Sequence, residues 1–441
     1  YMKEKNSLIR TILRYSIPSV ISMWMFTIYT MVDGIFIGKY VGPLGLAGVN
    51  ITMPLINFTF AVGIMIAVGS STMIAIHFGE GDWTAGNKIF TTATLSLATF
   101  GVILSVLITI FIEPIIHFLG GSGVLFPYVK DYMSVVILFC TCYMVGYALE
   151  IYIKVDGNPV YPAICVMTGG IVNIFLDYLF VAVYPYGIKG AAFATGMSQL
   201  TSTSMLLFYI LFKTKKIKFI KLKYSFKDLL KISKIGFAEF LAEVSTGIAI
   251  FIFNIVLIKE LGEKGVSAFG IIGYISSFVV MTMIGFSQGI QPIVSFNLGA
   301  KKYTNVIKTL KISLLMIITT GIVFYGSINI FSEKIISTFL NDIETFKMTK
   351  YALAVYSFAY IINGLNIVTA GYFTAVKKVK ISTTITILRG VILIGIFLIV
   401  LPRLFGTVGI WWSVPAAELV TLISSIYFIK KYMHKYENIR A

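Results

Sequence analysis

With 441 residues, 57% of them hydrophobic and only 12% charged, the chain carries about half the charge of an ordinary soluble domain. A mean hydropathy of +0.89 and the lack of a polar interdomain linker exclude a soluble multidomain protein. The formal charge of +17 comes without a nucleic-acid reading motif, which excludes a nucleic-acid partner. Apolar runs recur instead, each long enough to cross a hydrocarbon layer of about 30 Å, and the ~10-residue alternating segments of a transmembrane barrel are absent. The fold class is an all-α polytopic membrane protein.

Twelve spans are predicted. They cover residues 11–37, 46–76, 89–112, 132–153, 160–183 and 190–212, then 235–258, 266–298, 312–331, 351–376, 381–401 and 406–429. The first run is too long for a signal peptide and has no A-x-A site, so it reads as a retained helix. Of the 36 Lys and Arg residues, 27 fall on one side of these spans. That bias places both termini in the cytoplasm. Nine lysines lie between Lys213 and Lys234. Residues 213–234 therefore read as a basic cytoplasmic linker attracted to the lipid bilayer, between an N-terminal lobe (1–212) and a C-terminal lobe (235–441). Cys140, Cys142 and Cys165 lie inside apolar runs and read as small buried hydrophobes. The scattered histidines make no metal spacing.

The halves repeat. A shift of 220 residues brings the region of IAIHFGEGDWTAGNKIF onto that of IVSFNLGAKKYTNVIKT, setting Gly79 on Gly299 and Lys88 on Lys308, and just before them Gly69 on Gly289. At a shift of 219, YGIKGAAFATGMSQL meets FGTVGIWWSVPAAEL, and Gln199 falls on Glu418. Two parallel six-helix repeats, with a substrate path between them, are the expected architecture. No G-x-x-x-x-G-K-[ST] loop occurs, so ATP does not drive the protein directly. No cluster of catalytic spacing points to an enzyme.

Ionisable residues inside spans are functional candidates, because each is costly in lipid unless paired, neutralised or wet. The candidates singled out here are Asp33, Asp177, Glu239, Glu243, Arg389 and Glu418. Asp33 lies six residues before Lys39, ~9 Å along a helix. Asp177 and Thr195 fall at a similar depth in the outer half. Asn173 is one turn from Asp177, Tyr29 one turn from Asp33, and Gln199 shares a face with Thr195. No basic residue lies at that level of the N-terminal half. Two such carboxylates cannot both stay charged without a proton or a metal ion between them, and Asn173 and Thr195 offer further oxygens for Na⁺. The second half lacks the pair, since Phe253 and Phe397 stand at the matching positions. Glu243 and Arg389 lie at equal depth on repeat-related spans and form a candidate structural ion pair. Glu418 has no assigned partner and is a secondary candidate for binding a cation.

Four stretches carry a family pattern: MVDGIFIGKYVGPLGLAGV, GGIVNIFLDYLF, GIKGAAFATGMSQ and GFSQGIQPIVSFNLGAKKY. Along nearly its full length the chain resembles the multidrug and toxic compound extrusion (MATE) family, in its DinF-like and MepA-like bacterial branches. The resemblance implies a V-shaped pair of six-helix lobes in the bacterial cell membrane. It implies a monomer that exports lipophilic, often cationic compounds by antiport against H⁺ or Na⁺, with no other cofactor. The DinF-like branch has an N-lobe coupling site of two aspartates with a tyrosine, an asparagine and a threonine, matched here by Asp33, Asp177, Tyr29, Asn173 and Thr195. The NorM-like branch uses C-lobe acids. Glu243 matches the first of these, but span ten offers Asn363 and Asn366 and no acid. A lipid-linked sugar flippase of the same superfamily is the alternative. Such flippases often have fourteen spans and a basic cavity, whereas this chain has twelve spans and mostly acidic buried charges.

Overall fold

Where lipid offers the backbone no hydrogen-bond partners, a chain must satisfy its own amides within helices. The computed structural model, which describes residues 8–221, 225–339 and 342–438, has helices and no strand among those residues. The first five spans are α1 (Leu8–Val41), α2 (Pro43–Glu80), α3 (Trp83–Ile110), α4 (Gly123–Asp156) and α5 (Val160–Val183). The sixth, α6, is Gly187–Phe212. The helix Phe226–Gly299 breaks at Gly262, giving α7 (226–261) and α8 (263–299). α9 is Tyr303–Ser337. α10 joins Ile343–Tyr356 to Ala359–Ala375 at 44°. α11 is Val379–Phe405 and α12 is Thr407–Met433. Among the described residues, these twelve helices are roughly consistent with the twelve predicted spans, with α6 less apolar than the others. Asp82 and Asp342 cap α3 and α10, accepting from the amides of Ala85 at 2.8 Å and Thr345 at 2.9 Å, as N-cap carboxylates do.

The duplication is written in the backbone. Left-handed residues recur at the repeat offset: Gly42 with Gly262, Gly81 with Lys301, Gly157 with Lys377, and Gly187 with Gly406. The first half uses glycine at all four positions, where positive φ costs nothing. The second half holds lysine at two of them, against a cost of ~1 kcal/mol per residue. Lys301→Gly is therefore expected to stabilise the α8–α9 turn by about that amount. A raised unfolding midpoint in detergent checks it, and an unchanged or lowered midpoint contradicts it.

Two compact units divide the described residues. One is Ile17–Phe240; the other runs from Leu241 and takes residues 8–16 as well. The boundary thus falls inside α7 rather than at the expected 212 and 235, and the start of α1 joins the second unit. Glycine packing explains both exchanges. A Cβ at Gly289 of α8 would sit 2.6 Å from Ser16 Cα of α1, so only glycine lets the two backbones meet there. In the first unit, Gly69 of α2 faces the Ile232 carbonyl and Gly236 of α7 faces the Met65 carbonyl. Gly69 and Gly289 are repeat partners, as are Ser16 and Gly236.

The segment expected to be a basic cytoplasmic linker is held down over residues 214–220. The buried Asp156 carboxylate accepts from the amides of Lys215, Lys216 and Ile217 at 3.4, 3.0 and 3.3 Å. Asn87 brackets the chain, donating to the Lys216 carbonyl at 3.1 Å and accepting from the Lys218 amide at 2.8 Å. Thr91 Oγ1 accepts from the Ile220 amide at 3.2 Å. Further on, Lys88 pairs with Asp228 at 2.9 Å. Residues 222–224 of the expected linker lie outside the described residues. Asp156→Ala removes the acceptor of three backbone amides at once. It is expected to open Lys213–Lys218 to trypsin at a rate at least about tenfold above wild type, read by peptide mapping, and equal cleavage rates would refute the tether.

Candidate functional site

The predicted N-lobe residues converge inside the first unit. Asp33 stands one turn before a π-helical turn, Ile37–Val41, at the end of α1. Asp177 ends the α-helical part of α5 and is followed at once by a π-helical segment, Tyr178–Val183. The two π segments touch, and such wide turns recur at functional sites because they shift the side-chain register. Gly170 of α5 brings α1 close, since an added Cβ would collide with Met25 and press on Tyr29.

Asp177 and Asn173 are fully buried, and Asp33, Tyr29 and Thr195 retain at most 8% exposure. The carboxyl groups of Asp33 and Asp177 face each other within hydrogen-bonding reach. No N–H or O–H of the described residues donates to Asp33 Oδ1, to either Asp177 oxygen or to Asn173 Oδ1. Asn173 Nδ2 donates to Thr195 Oγ1 at 3.3 Å, and Gln199 Nε2 donates to the Tyr29 hydroxyl at 2.9 Å. All six side chains predicted at this level are therefore gathered, and four oxygens among them are left free. An oxygen-only cluster suits a proton or a hard cation such as Na⁺. Among the described residues, no group of three or more His, Cys, Asp or Glu could hold a metal ion.

A cavity of about 210 Å³ opens beside this cluster within the same unit, and Asp33, Tyr29 and Thr195 line it. Its other walls include Phe26, Phe60, Tyr132 and Tyr143. Phe26 meets Tyr29 edge-on at 5.3 Å and lies parallel to Phe60 at 6.3 Å. Asp33 is the only charged residue on the described lining. Asp177 is not on the lining, so Asp33 stands between the cavity and the second carboxyl. Phe26 and Thr30 could have been read from the sequence, because they share the helical face of Asp33. Phe60, Tyr132 and Tyr143 carry no such signal; only the packing of α2 and α4 brings them in.

The second unit corrects one expectation. Arg389 does not pair with Glu243. Its Nη2 lies 2.6 Å from Glu418 Oε1, and its Nε donates to the same oxygen at 3.1 Å. Asn366 Nδ2 donates to Glu418 Oε2 at 2.7 Å, and Ser425 Oγ donates to Asn366 Oδ1 at 2.8 Å. Equal depth on two spans fixes height but not the direction of the side chain. The α11–α12 contact, rather than an α7–α11 contact, receives the guanidinium fork. Glu418 is thus neutralised and hydrogen-bonded, which removes the reason to treat it as an unpartnered cation ligand. Glu243 is half-buried, with no cationic partner among the described residues. The sequence reading also passed over Glu150 and Lys154, a buried pair on α4 at 2.9 Å. Their i, i+4 spacing, with glutamate first, was the available signal. Their repeat partners are Ala370 and Thr374, so the scaffold does not require this pair.

A family model described as MatE matches residues 18–179 and 240–401, once in each half. Over 437 residues the chain is 25% identical to the multidrug export protein MepA of Staphylococcus saprophyticus, covering 97% of this chain and 95% of that one. The Staphylococcus haemolyticus MepA is 24% identical over 428 residues, with 97% and 94% covered. Among solved structures, an outward-facing multidrug resistance MATE family transporter of the MOP superfamily superposes with a TM-score of 0.93. The two are 19% identical, with 99% and 100% of the chains covered. A variant of the Vibrio cholerae MATE transporter VcmN superposes with a TM-score of 0.90 at 15% identity, over 97% and 98% of the chains.

Proposed function

The chain belongs to the MatE family, and from that premise we propose that it is a secondary multidrug exporter. In this reading it moves lipophilic cationic compounds out of a bacterial cell in exchange for H⁺ or Na⁺, by alternating access and as a monomer. The observation that carries the coupling site is the buried carboxyl pair. Asp33 and Asp177 face each other, and three of their four oxygens receive no donor. A carboxylate only accepts hydrogen bonds, so two of them at this range are held together by a proton or a cation. Taking up that cation from one side and losing it to the other changes the charge on the cavity wall, because Asp33 borders both. Tyr29, Asn173, Thr195 and Gln199 surround the pair and hydrogen-bond to one another, leaving the carboxyl oxygens for the cation. Aromatic rings on the cavity wall offer cation–π contacts to a flat cationic drug.

Ethidium transport by the full chain in proteoliposomes tests the reading. Uptake driven by an imposed pH gradient identifies H⁺ as the coupling ion, and uptake driven only by a Na⁺ gradient identifies Na⁺. If neither gradient moves ethidium or other lipophilic cations, the exporter reading fails and the flippase reading takes its place. The acidic cavity lining supports the exporter, since an anionic lipid-linked head group would meet Asp33 unfavourably.

A further inference from the structure

We propose that Lys215, Lys218 and Lys221 form a fixed ridge that docks anionic phospholipid headgroups at the membrane surface. The side chains that tether residues 214–220 leave these three lysines exposed. Ile217 between them is fully buried and acts as an anchor, so the lysines cannot fold inward. No acidic side chain of the described residues pairs with any of the three, whereas their neighbours are engaged. Lys216 lies over the Trp83 ring at 5.2 Å, and Lys213 lies over Phe208 at 5.6 Å and Tyr161 at 5.8 Å.

The surroundings select lipid as the partner. The ridge begins where α6 ends, and Phe212 at that end is 72% exposed. Phe219 is also exposed, between Lys218 and Lys221. Lysines mixed with exposed aromatics at the end of a membrane span match the headgroup level, where rings sit among acyl chains and ammonium groups meet phosphates. An acidic soluble protein would leave those rings against water. Because the backbone is already held, little conformational entropy is lost on binding. This separates the ridge from a disordered basic tail. The C-terminal half offers no copy, since Val376 and Ile307 stand at the positions of Asp156 and Asn87.

The test uses the full chain in detergent, titrated with phosphatidylglycerol or phosphatidylcholine and read by native mass spectrometry. Wild type is expected to retain phosphatidylglycerol in preference. K215Q/K218Q/K221Q is expected to lower its apparent affinity for that lipid by at least about tenfold. K301Q/K308Q/K311Q removes the same charge from exposed positions on the same side and is expected to leave it unchanged. Asp156→Ala keeps every lysine but frees the backbone, and an intermediate loss is expected. Equal retention by wild type and the ridge variant overturns the proposal. So do equal losses in both triple variants, which would show bulk charge alone, and full retention by Asp156→Ala. Displacement of the lipid by soluble glycerol phosphate at equal concentration would assign the ridge to a free phosphate instead and also overturn it.

Discussion

Asp33→Asn is expected to abolish gradient-driven efflux while leaving the protein folded. Asparagine keeps the shape of the side chain but has no charge to gain or lose. One pH unit across the membrane is worth ~1.4 kcal/mol per proton. A one-for-one exchanger can therefore hold about a tenfold drug gradient per unit. Without the titrating carboxyl that work is not transmitted, and the accumulated drug falls to its equilibrium level. Folding is expected to survive, because no donor is lost from Asp33 Oδ1 and an amide is cheaper to bury than a charge. Asp177→Asn acts on the other member of the pair and is expected to abolish coupling equally. Ethidium accumulation in proteoliposomes and the unfolding midpoint in detergent are the two measurements. A variant that still concentrates ethidium returns Asp33 to a packing role.

Arg389→Met is expected to destabilise the second unit by about 3–5 kcal/mol, because it strands a buried carboxylate. Glu418 is 3% exposed, and Asn366 alone would remain to solvate it. Methionine fills similar volume, so the loss reports the missing charge rather than a cavity. Combining Arg389→Met with Glu418→Gln is expected to recover most of that stability, since replacing both members of a buried ion pair is often nearly neutral. Unfolding midpoints of the two single variants and the double variant close a cycle that isolates the pair. If the double variant is no more stable than Arg389→Met, the pair does not account for the loss. Transport by the double variant adds an independent check. Retained ethidium efflux keeps Glu418 structural, and lost efflux in a folded double variant would restore it as a coupling group.

The candidate site was legible to an unusual degree because lipid makes charge conspicuous. A carboxylate inside an apolar run needs a reason, so Asp33 and Asp177 stood out, and helical spacing then supplied Tyr29, Asn173 and Gln199 as same-face neighbours. The same logic failed for Arg389. Its depth matched Glu243, but the azimuth of a side chain around its helix depends on which neighbour the helix packs against. α11 packs on both α7 and α12, and the guanidinium turns to α12, where Glu418, with Asn366 of α10 and Ser425, completes a network that no linear spacing announces. The tether of the linker was not legible for a related reason: lysines dominate its composition, while its conformation is held by Asp156, Asn87 and Thr91, which lie far away in sequence.

The sequence by itself determined the helical membrane class, the twelve spans, the internal repeat and the level of the two aspartates. Each of these follows from one-dimensional quantities: hydropathy, helical period, offset and depth. Tertiary structure alone decided that the start of α1 packs with the second unit, that an aromatic cavity adjoins Asp33 but not Asp177, and that Glu418 takes the arginine. These outcomes depend on close helix contacts, set by glycines such as Gly170, Gly236 and Gly289 that admit a neighbouring backbone or side chain. A glycine in the sequence records only a missing side chain, and the partner that fills the space is fixed when the helices pack.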